Sequence, residues 1–282
     1  MLTPPEIARS LLAAGESKAR LPFGKMLLLA ILAGAYIALA GVGATAAAVT
    51  VESGSLAKLL SACVFPAGLS MVILAGSELF TGNCLMVMAL LERRITPAQL
   101  LRNWLTVYLG NAVGGAAVAA LAVYSHTASL FGDGLARSMV SIAESKAALG
   151  FGDAFLRGVL CNFLVCLAVW MAAASKRAEG KVIALFFPIL LFVLCGYEHC
   201  IANLYYLPAG AFAAAEYGME TTLTLAGCLK NLAAVTLGNL VGGAALGVGY
   251  RFAYLKECCA APEIVCAENE KRHTPKVSPC LS

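Results

Sequence analysis

Long apolar runs separated by short charged segments make up most of the chain. Four of these runs have the length of a single membrane helix: Met26 to Val51, Asn103 to Ser125, Asp153 to Ala174 and Thr221 to Tyr250. Two further runs, Leu59 to Leu91 and Val182 to Ala215, exceed the roughly 20 to 25 residues that cross a bilayer core. The pattern therefore predicts an all-α protein with six membrane spans, two of which are broken.

Prolines and glycines supply candidate breaking points in both long runs. They are Pro66, Gly68, Gly76 and Gly82 in the first run, and Pro188, Gly196, Pro208 and Gly210 in the second. Irregular backbone at membrane depth is tolerated only where protein buries it or a polar cavity faces it. Each run also carries a carboxylate, Glu78 or Glu198, and Glu198 is followed by His199. We expect a polar site where the two breaks meet.

Composition supports a membrane protein, because 60% of the 282 residues are hydrophobic and 13% are charged, against roughly 25% charged residues in an average soluble domain. We expect an amphipathic segment at 1–25, a transport domain at 26–252 and a polar tail at 253–282.

Lysine and arginine concentrate in the segments that share a side with the termini. By the positive-inside rule this distribution predicts cytoplasmic termini and an outward-facing polar connection at 124–152. Nothing indicates a nucleic-acid partner.

An internal repeat relates the two halves. Residues 102–116 align without gaps to residues 230–244, at an offset of 128, and share the pattern LGN-x-VGGA. Upstream, Gly76-Ser77-Glu78 corresponds to Gly196-Tyr197-Glu198 at an offset of 120. Each half holds three spans, and an odd number means that the second copy enters the membrane from the opposite side. The sequence thus predicts an inverted 3+3 repeat.

The two breaks carry side chains suited to a small anion. Half-helices that begin at the midplane expose unpaired N–H groups and a partial positive charge, and Thr81, Asn83, His199 and Asn203 add hydrogen-bond donors. An imidazole titrates near neutral pH, so we expect that His199 can exchange a proton with an anion beside it, although a structural core histidine is the alternative. We expect Glu78 and Glu198 to be structural, accepting main-chain N–H bonds at the broken ends.

Four motifs resemble those of the formate/nitrite transporter family: SELFTGN at 77–83, CNFLVCLAVWM at 161–171, GYEHCIAN at 196–203 and the two LGN-x-VGG segments. The resemblance implies an aquaporin-like fold without the water channels' Asn-Pro-Ala motif. It also implies a homopentamer in the bacterial inner membrane, with one substrate path in each protomer.

Site residues follow from the resemblance position by position. It implies that His199 is the central histidine of the path and Thr81 its partner. It places Lys146 and Asn162 in a vestibule, although from the sequence alone Lys146 is more typical of an ordinary loop lysine. It also implies an outer apolar constriction of Phe65, Val165, Phe192 and Ala202, and an inner one of Leu69, Leu79 and Phe80. Cys200 stands where many members carry serine, and Tyr205 and Tyr206 remain unassigned.

The function predicted from these features is transport of a small monovalent anion of a weak acid, most of all formate, with proton transfer through His199. Nitrite and hydrosulfide are alternative cargoes, and an aquaporin-like channel for neutral solutes is the alternative of another class. An enzyme is disfavoured because the sequence shows no nucleophile, metal cluster or cofactor fingerprint. We expect no cofactor and no metal, and the lipid bilayer, a proton and four further copies of the chain as partners.

Overall fold

The structure, a computed structural model, describes residues 1–255, and every regular element in this range is helical. In chain order the α-helices are α1 (Pro4–Ala19), α2 (Phe23–Ala48), α3 (Gly54–Val64), α4 (Pro66–Ala75), α5 (Phe80–Asn83), α6 (Val87–Leu91), α7 (Pro97–Tyr124), α8 (Gly134–Ala148), α9 (Phe151–Ala173), α10 (Ala178–Leu194), α11 (Cys200–Glu216) and α12 (Leu225–Tyr254). Short 3-10 turns lie before α6 and α8. The predicted tail lies outside the described residues from position 256 onward.

Six helical segments correspond to the six predicted spans. Five are long and apolar enough to cross a membrane: α2, α3 joined to α4, α7, α9 and α12. The sixth consists of α10 and α11, which have 17 residues each and are separated by the segment 195–199. The first broken span continues in the same way from α4 into α5 and α6. The prediction of six spans with two broken ones is confirmed.

A single glycine ends the first half-helix of each broken span. Gly76 has a φ of +77° and Gly196 a φ of +70°, a left-handed conformation that glycine adopts without a steric penalty. Pro66 begins α4 just after α3 ends, so the helix is interrupted there as well. The remaining expected breaking points lie inside helices: Gly68, Gly82, Pro188, Pro208 and Gly210. That part of the prediction is wrong, because membrane helices tolerate proline where neighbouring groups replace the lost hydrogen bond.

Small residues let two pairs of long helices approach closely, α2 with α7 and α9 with α12. A Cβ atom added at Gly114 would lie 2.0 Å from the carbonyl oxygen of Ile31, and one added at Gly242 would lie 2.0 Å from that of Val159. Both residues of one pair are 128 positions from those of the other. The two halves are therefore built on the same contact, in which glycine permits close main-chain approach.

The segment 124–152 is not the open polar loop that the sequence suggested. It contains α8, whose apolar face buries Leu135, Met139 and Ala143. This face packs against α11, where an added Cβ at Gly210 would lie 2.3 Å from that of Ala143. Helix α1 is likewise packed onto the membrane helices, and the N–H of Leu2 donates to the carbonyl oxygen of Ala174 over 2.8 Å.

Candidate functional site

An asparagine side chain holds the start of the second half-helix in each broken span. The N–H of Phe80 donates to Asn111 Oδ1 over 3.0 Å, and the N–H of Cys200 donates to Asn239 Oδ1 over 2.9 Å. The Nδ2 group of each asparagine binds two carbonyl oxygens, those of Ala30 and Glu78 for Asn111 and those of Gly158 and Glu198 for Asn239. These asparagines are the Asn of the two LGN-x-VGG motifs, whose role is thus to fix the breaks.

A lysine pairs with the carboxylate of each break. Lys18 Nζ lies 2.7 Å from Glu78 Oε1, and Lys146 Nζ lies 2.9 and 3.0 Å from the two oxygens of Glu198. The expectation that these carboxylates accept main-chain N–H bonds is wrong in both halves. They are structural partners of side chains instead, since the main-chain groups already bind asparagine.

Two more asparagines complete each network. Asn83 Nδ2 donates to Glu78 Oε2 and to Asn103 Oδ1, and Asn203 Nδ2 donates to Glu198 Oε2 and to Asn231 Oδ1, all over 2.7 to 2.9 Å. Every member of one network has its counterpart 120 or 128 positions away in the other. Charge pairing and the hydrogen bonds from asparagine together make it possible to bury a carboxylate here.

Lys18 is a site residue that the sequence analysis missed. The signal is present, because Glu16-Ser17-Lys18-Ala19 and Glu144-Ser145-Lys146-Ala147 are identical tetrapeptides 128 positions apart. The repeat thus begins in α1 rather than at the first membrane span, and α1 is the counterpart of α8. An amphipathic pattern alone made the segment 1–25 look like a surface helix.

The two breaks meet through Thr81 and His199. Thr81 Oγ1 lies 2.9 Å from His199 Nε2, and both residues are buried, with exposures of 0% and 3%. His199 Nδ1 accepts the N–H of Ala202 over 3.1 Å, which caps α11. Because Nδ1 is an acceptor, the proton of a neutral imidazole lies on Nε2 and is donated to Thr81.

Two cavities approach this pair from opposite ends. The Lys146 vestibule, a cavity of about 590 Å³, is lined by Lys146 and Glu198 and reaches Phe65, Phe192, His199 and Ala202. The Lys18 vestibule, of about 330 Å³, is lined by Lys18 and Glu78 and reaches Leu69 and Leu79. Thr81 itself lines neither cavity, whereas its partner His199 is reached by the Lys146 vestibule.

The seven predicted constriction residues are all buried. The rings of Phe65 and Phe192 meet edge to face with centroids 5.6 Å apart, and Phe192 stacks on the His199 ring at 5.9 Å. Val165 and Phe80 line neither cavity, and Phe80 packs against Trp104 and Tyr108 instead. The structure brings together the aromatic part of the predicted constriction at the floor of the Lys146 vestibule.

Two predicted donors are engaged elsewhere. Asn162 is fully buried, and its Nδ2 donates to the carbonyl oxygens of Asn239 over 2.7 Å and of Thr81 over 3.3 Å. It lines neither vestibule, contrary to its predicted position. Asn203 spends both Nδ2 hydrogens in the Glu198 network and also lines neither cavity. Both asparagines are buried behind the walls of the two cavities.

The neighbouring residues that the sequence left unassigned now have places. Tyr206 lines the Lys146 vestibule, with the Lys146 ammonium 5.3 Å from its ring centroid. Tyr205 is fully buried and packs against Gly41, away from the cavity. Cys200 is buried at the first position of α11. Among residues 1–255, no three His, Cys, Asp or Glu side chains form a cluster that could hold a metal ion.

A family model described as "Formate/nitrite transporter" matches residues 5–253 of the chain. The chain belongs to the formate/nitrite transporter family. It is 38% identical over 275 residues to a "Probable formate transporter" of Methanothermobacter thermautotrophicus, covering 90% of this chain and 98% of the relative. It is 39% identical over 239 residues to "Formate channel FocA" of Haemophilus influenzae, covering 79% of this chain and 84% of the relative.

Solved structures of the formate/nitrite transporter family share the fold. An "FNT family ion channel" superposes with a TM-score of 0.79 at 32% identity, covering 88% of this chain and 98% of that one. A "Pentameric formate channel with formate bound" gives a TM-score of 0.73 at 33% identity, covering 83% and 98%. The predicted family and its six-span aquaporin-like fold are confirmed. The chain is a multi-pass membrane transporter of small anions and not an enzyme.

Proposed function

We propose that this transporter carries the anion of a small weak acid, with formate as its main cargo, and that His199 handles the accompanying proton. The observation that carries the proposal is the position of His199. Its ring lies at the floor of the Lys146 vestibule and is hydrogen-bonded to Thr81 of the opposite break. An ionisable side chain in this place is rare inside a membrane protein and is usually functional.

The apolar floor of each vestibule favours passage of a neutral species. Phe65, Phe192 and Ala202 close one side, and Leu69 and Leu79 close the other. An uncompensated charge in such a low-dielectric slot costs many kcal/mol, whereas a neutral weak acid is far easier to transfer. Protonation of the anion at the floor therefore removes the main barrier.

The hydrogen bonds around His199 suit a proton path in which one proton enters the ring for each proton that reaches the anion. A proton added at Nδ1 displaces the N–H of Ala202 and charges the ring, and Nε2–H then passes a proton to the Thr81 hydroxyl as that hydroxyl gives its own to the anion. The ring is then neutral with its remaining proton on Nδ1. Exchange of that proton for one on Nε2 restores the starting tautomer and the cap of α11. Because the charged ring loses the Ala202 bond, the extra proton is held only briefly.

For orientation and assembly we propose cytoplasmic termini, an outward-facing Lys146 vestibule and a homopentamer in the bacterial inner membrane. Support comes from the lysine and arginine distribution, from the similar pentameric formate channel and from the exposed leucines of the long helices, such as Leu105, Leu109 and Leu229. The mass of the detergent-solubilised particle should equal five chains plus bound detergent. A monomeric or dimeric mass contradicts the assembly.

Cargo is tested with purified protein in liposomes. Rates of uptake of formate, nitrite, hydrosulfide and lactate are measured at several pH values, with glycerol as a neutral solute. We expect formate to be fastest and its rate to rise as the pH falls. A higher rate for nitrite or hydrosulfide would reassign the cargo within the family, and pH-independent glycerol uptake without anion uptake would indicate a neutral-solute channel instead.

A further inference from the structure

We infer that Lys58 and Arg157 make the Lys146 vestibule an electrostatic trap for small anions, that the Lys18 vestibule has no such trap, and that substrate capture is therefore unequal on the two sides of the membrane. This inference rests on the proposed anion transport. It concerns two residues outside the symmetric networks described above. Neither residue belongs to the constriction or to the His199–Thr81 pair.

The charge on the wall of the Lys146 vestibule is unbalanced. Its charged residues are Lys58, Lys146, Arg157 and Glu198. Lys146 and Glu198 neutralise each other through their two contacts of 2.9 and 3.0 Å. No hydrogen bond or ion pair joins the side chain of Lys58 or Arg157 to another residue in the range 1–255. Two uncompensated cations therefore face the cavity.

These two cations act on the same space. Lys58 lies on α3 and Arg157 lies on α9. Lys58 interacts electrostatically with Arg157, and also with Lys146 and Glu198. Both side chains are exposed rather than buried and line the wall of the cavity. A concave, low-dielectric wall lined by one sign of charge focuses the field and raises the local concentration of the opposite ion.

The Lys18 vestibule lacks equivalents of both residues. Within the described part of the chain its only charged residues are Lys18 and Glu78, which are paired over 2.7 Å. The repeat offsets of 128 and 120 place Leu29 opposite Arg157 and Ala178 opposite Lys58. The scaffold of the breaks is thus repeated, whereas the free positive charge is present in only one half.

The charges should affect capture rather than passage. Lys58 and Arg157 lie on the cavity wall, while the apolar floor and His199 control crossing. Removing the two charges should raise the half-saturating formate concentration and leave the maximal rate unchanged. The effect should weaken as salt rises, because at about 1 M ionic strength charges are screened within roughly 3 Å.

The test compares formate uptake into spheroplasts and into inverted vesicles, which expose opposite faces. The double variant Lys58→Gln/Arg157→Gln should raise the half-saturating concentration about tenfold in one preparation only, the lower end of the range for focused fields. The conservative pair Lys58→Arg/Arg157→Lys should behave like the parent. The matched control Lys25→Gln/Lys176→Gln removes two exposed charges from the opposite face and should not change capture from the sensitive side.

Assembly of every variant is checked by gel filtration. If the double variant fails to assemble, the single variant Arg157→Leu is used instead, because leucine is the residue at the equivalent position of the other half, Leu29.

Equal shifts in both preparations, or no shift in either, would overturn the inference. So would a lower maximal rate at an unchanged half-saturating concentration, since that result assigns the two residues a structural role. Failure of the proposed function looks different, because the parent protein itself would then move none of formate, nitrite and hydrosulfide.

Discussion

The two broken spans have the same scaffold but different side chains where they face each other. Both hold a glycine in the left-handed region, an asparagine cap and a lysine–carboxylate pair. At the residue that precedes the second half-helix, however, the first break has Leu79 and the second has His199. Two positions later the first break has Thr81 and the second has Ile201.

This difference distinguishes the residues that build the fold from the two residues to which we assign a function. The repeated residues all bind each other or the main chain, and repetition is what an inverted two-fold fold requires of its framework. His199 and Thr81 are the unmatched polar pair, and they bind each other across the two breaks. Their counterparts Leu79 and Ile201 are apolar and buried. The proton chemistry that we propose is therefore located where the repeat is broken.

The largest expected effect is loss of one partner of a buried ion pair. Lys146→Met leaves Glu198 uncompensated, and we expect it to lower the free energy of unfolding by about 3–5 kcal/mol. Lys18→Met should cost less, because the Lys18 side chain is 30% exposed against 15% for Lys146, and a more exposed ion pair contributes less. Denaturant unfolding in mixed micelles measures both, with Lys25→Met as an exposed control. A larger loss for Lys18→Met would contradict the account.

A smaller effect is expected at the close helix contacts. Gly114→Ala and Gly242→Ala each place a methyl group 2.0 Å from a carbonyl oxygen, and relief of such overpacking costs about 1–3 kcal/mol. Gly249→Ala, on the same helix as Gly242, meets nothing within 4 Å and should be neutral or slightly stabilising. If only one of Gly114→Ala and Gly242→Ala is destabilised, the helix contacts of the two halves are not equivalent.

The smallest effect is expected at the two breaks themselves. Gly76→Ala and Gly196→Ala meet no neighbouring atom within 4 Å, so their cost is the left-handed backbone alone, about 1–2 kcal/mol. Gly152→Ala, which also meets nothing, serves as the control with ordinary backbone. Equal shifts of the unfolding midpoint are expected for the first two variants, and a shift in only one of them would show that the breaks differ in strain.

Much of the fold could be predicted because it follows from local pattern. Apolar length gave the spans, and Gly76 and Gly196 were among the expected breaking points. The prolines were misleading, since neither Pro188 nor Pro208 interrupts its helix. Helix α8 was missed because its polar residues dominate the segment, while its apolar face is recognisable only through its packing against α11.

The site was less predictable because it depends on contacts distant in sequence. Lys18 and Glu78 are 60 positions apart, and nothing in α1 alone indicates that pairing. Asn162 occupies a position that the family pattern assigns to a vestibule, but a sequence cannot show that its amide hydrogens bind carbonyl oxygens. His199 was predictable because a histidine inside an apolar run has few structural reasons to be there.

The proposed proton role of His199 is tested most directly by comparing His199→Asn with the parent. The quantities measured are the number of protons moved with each formate and the pH dependence of formate uptake. The amide oxygen of asparagine can replace Nδ1 as acceptor for Ala202, so the variant should fold and assemble, but it cannot titrate. Proteoliposomes with an entrapped pH indicator are followed between about pH 5 and pH 8. We expect the parent to move one proton with each formate at a rate that rises as the pH falls, and His199→Asn to lose this pH dependence. A variant whose proton stoichiometry and pH profile match those of the parent would contradict the proposed proton role.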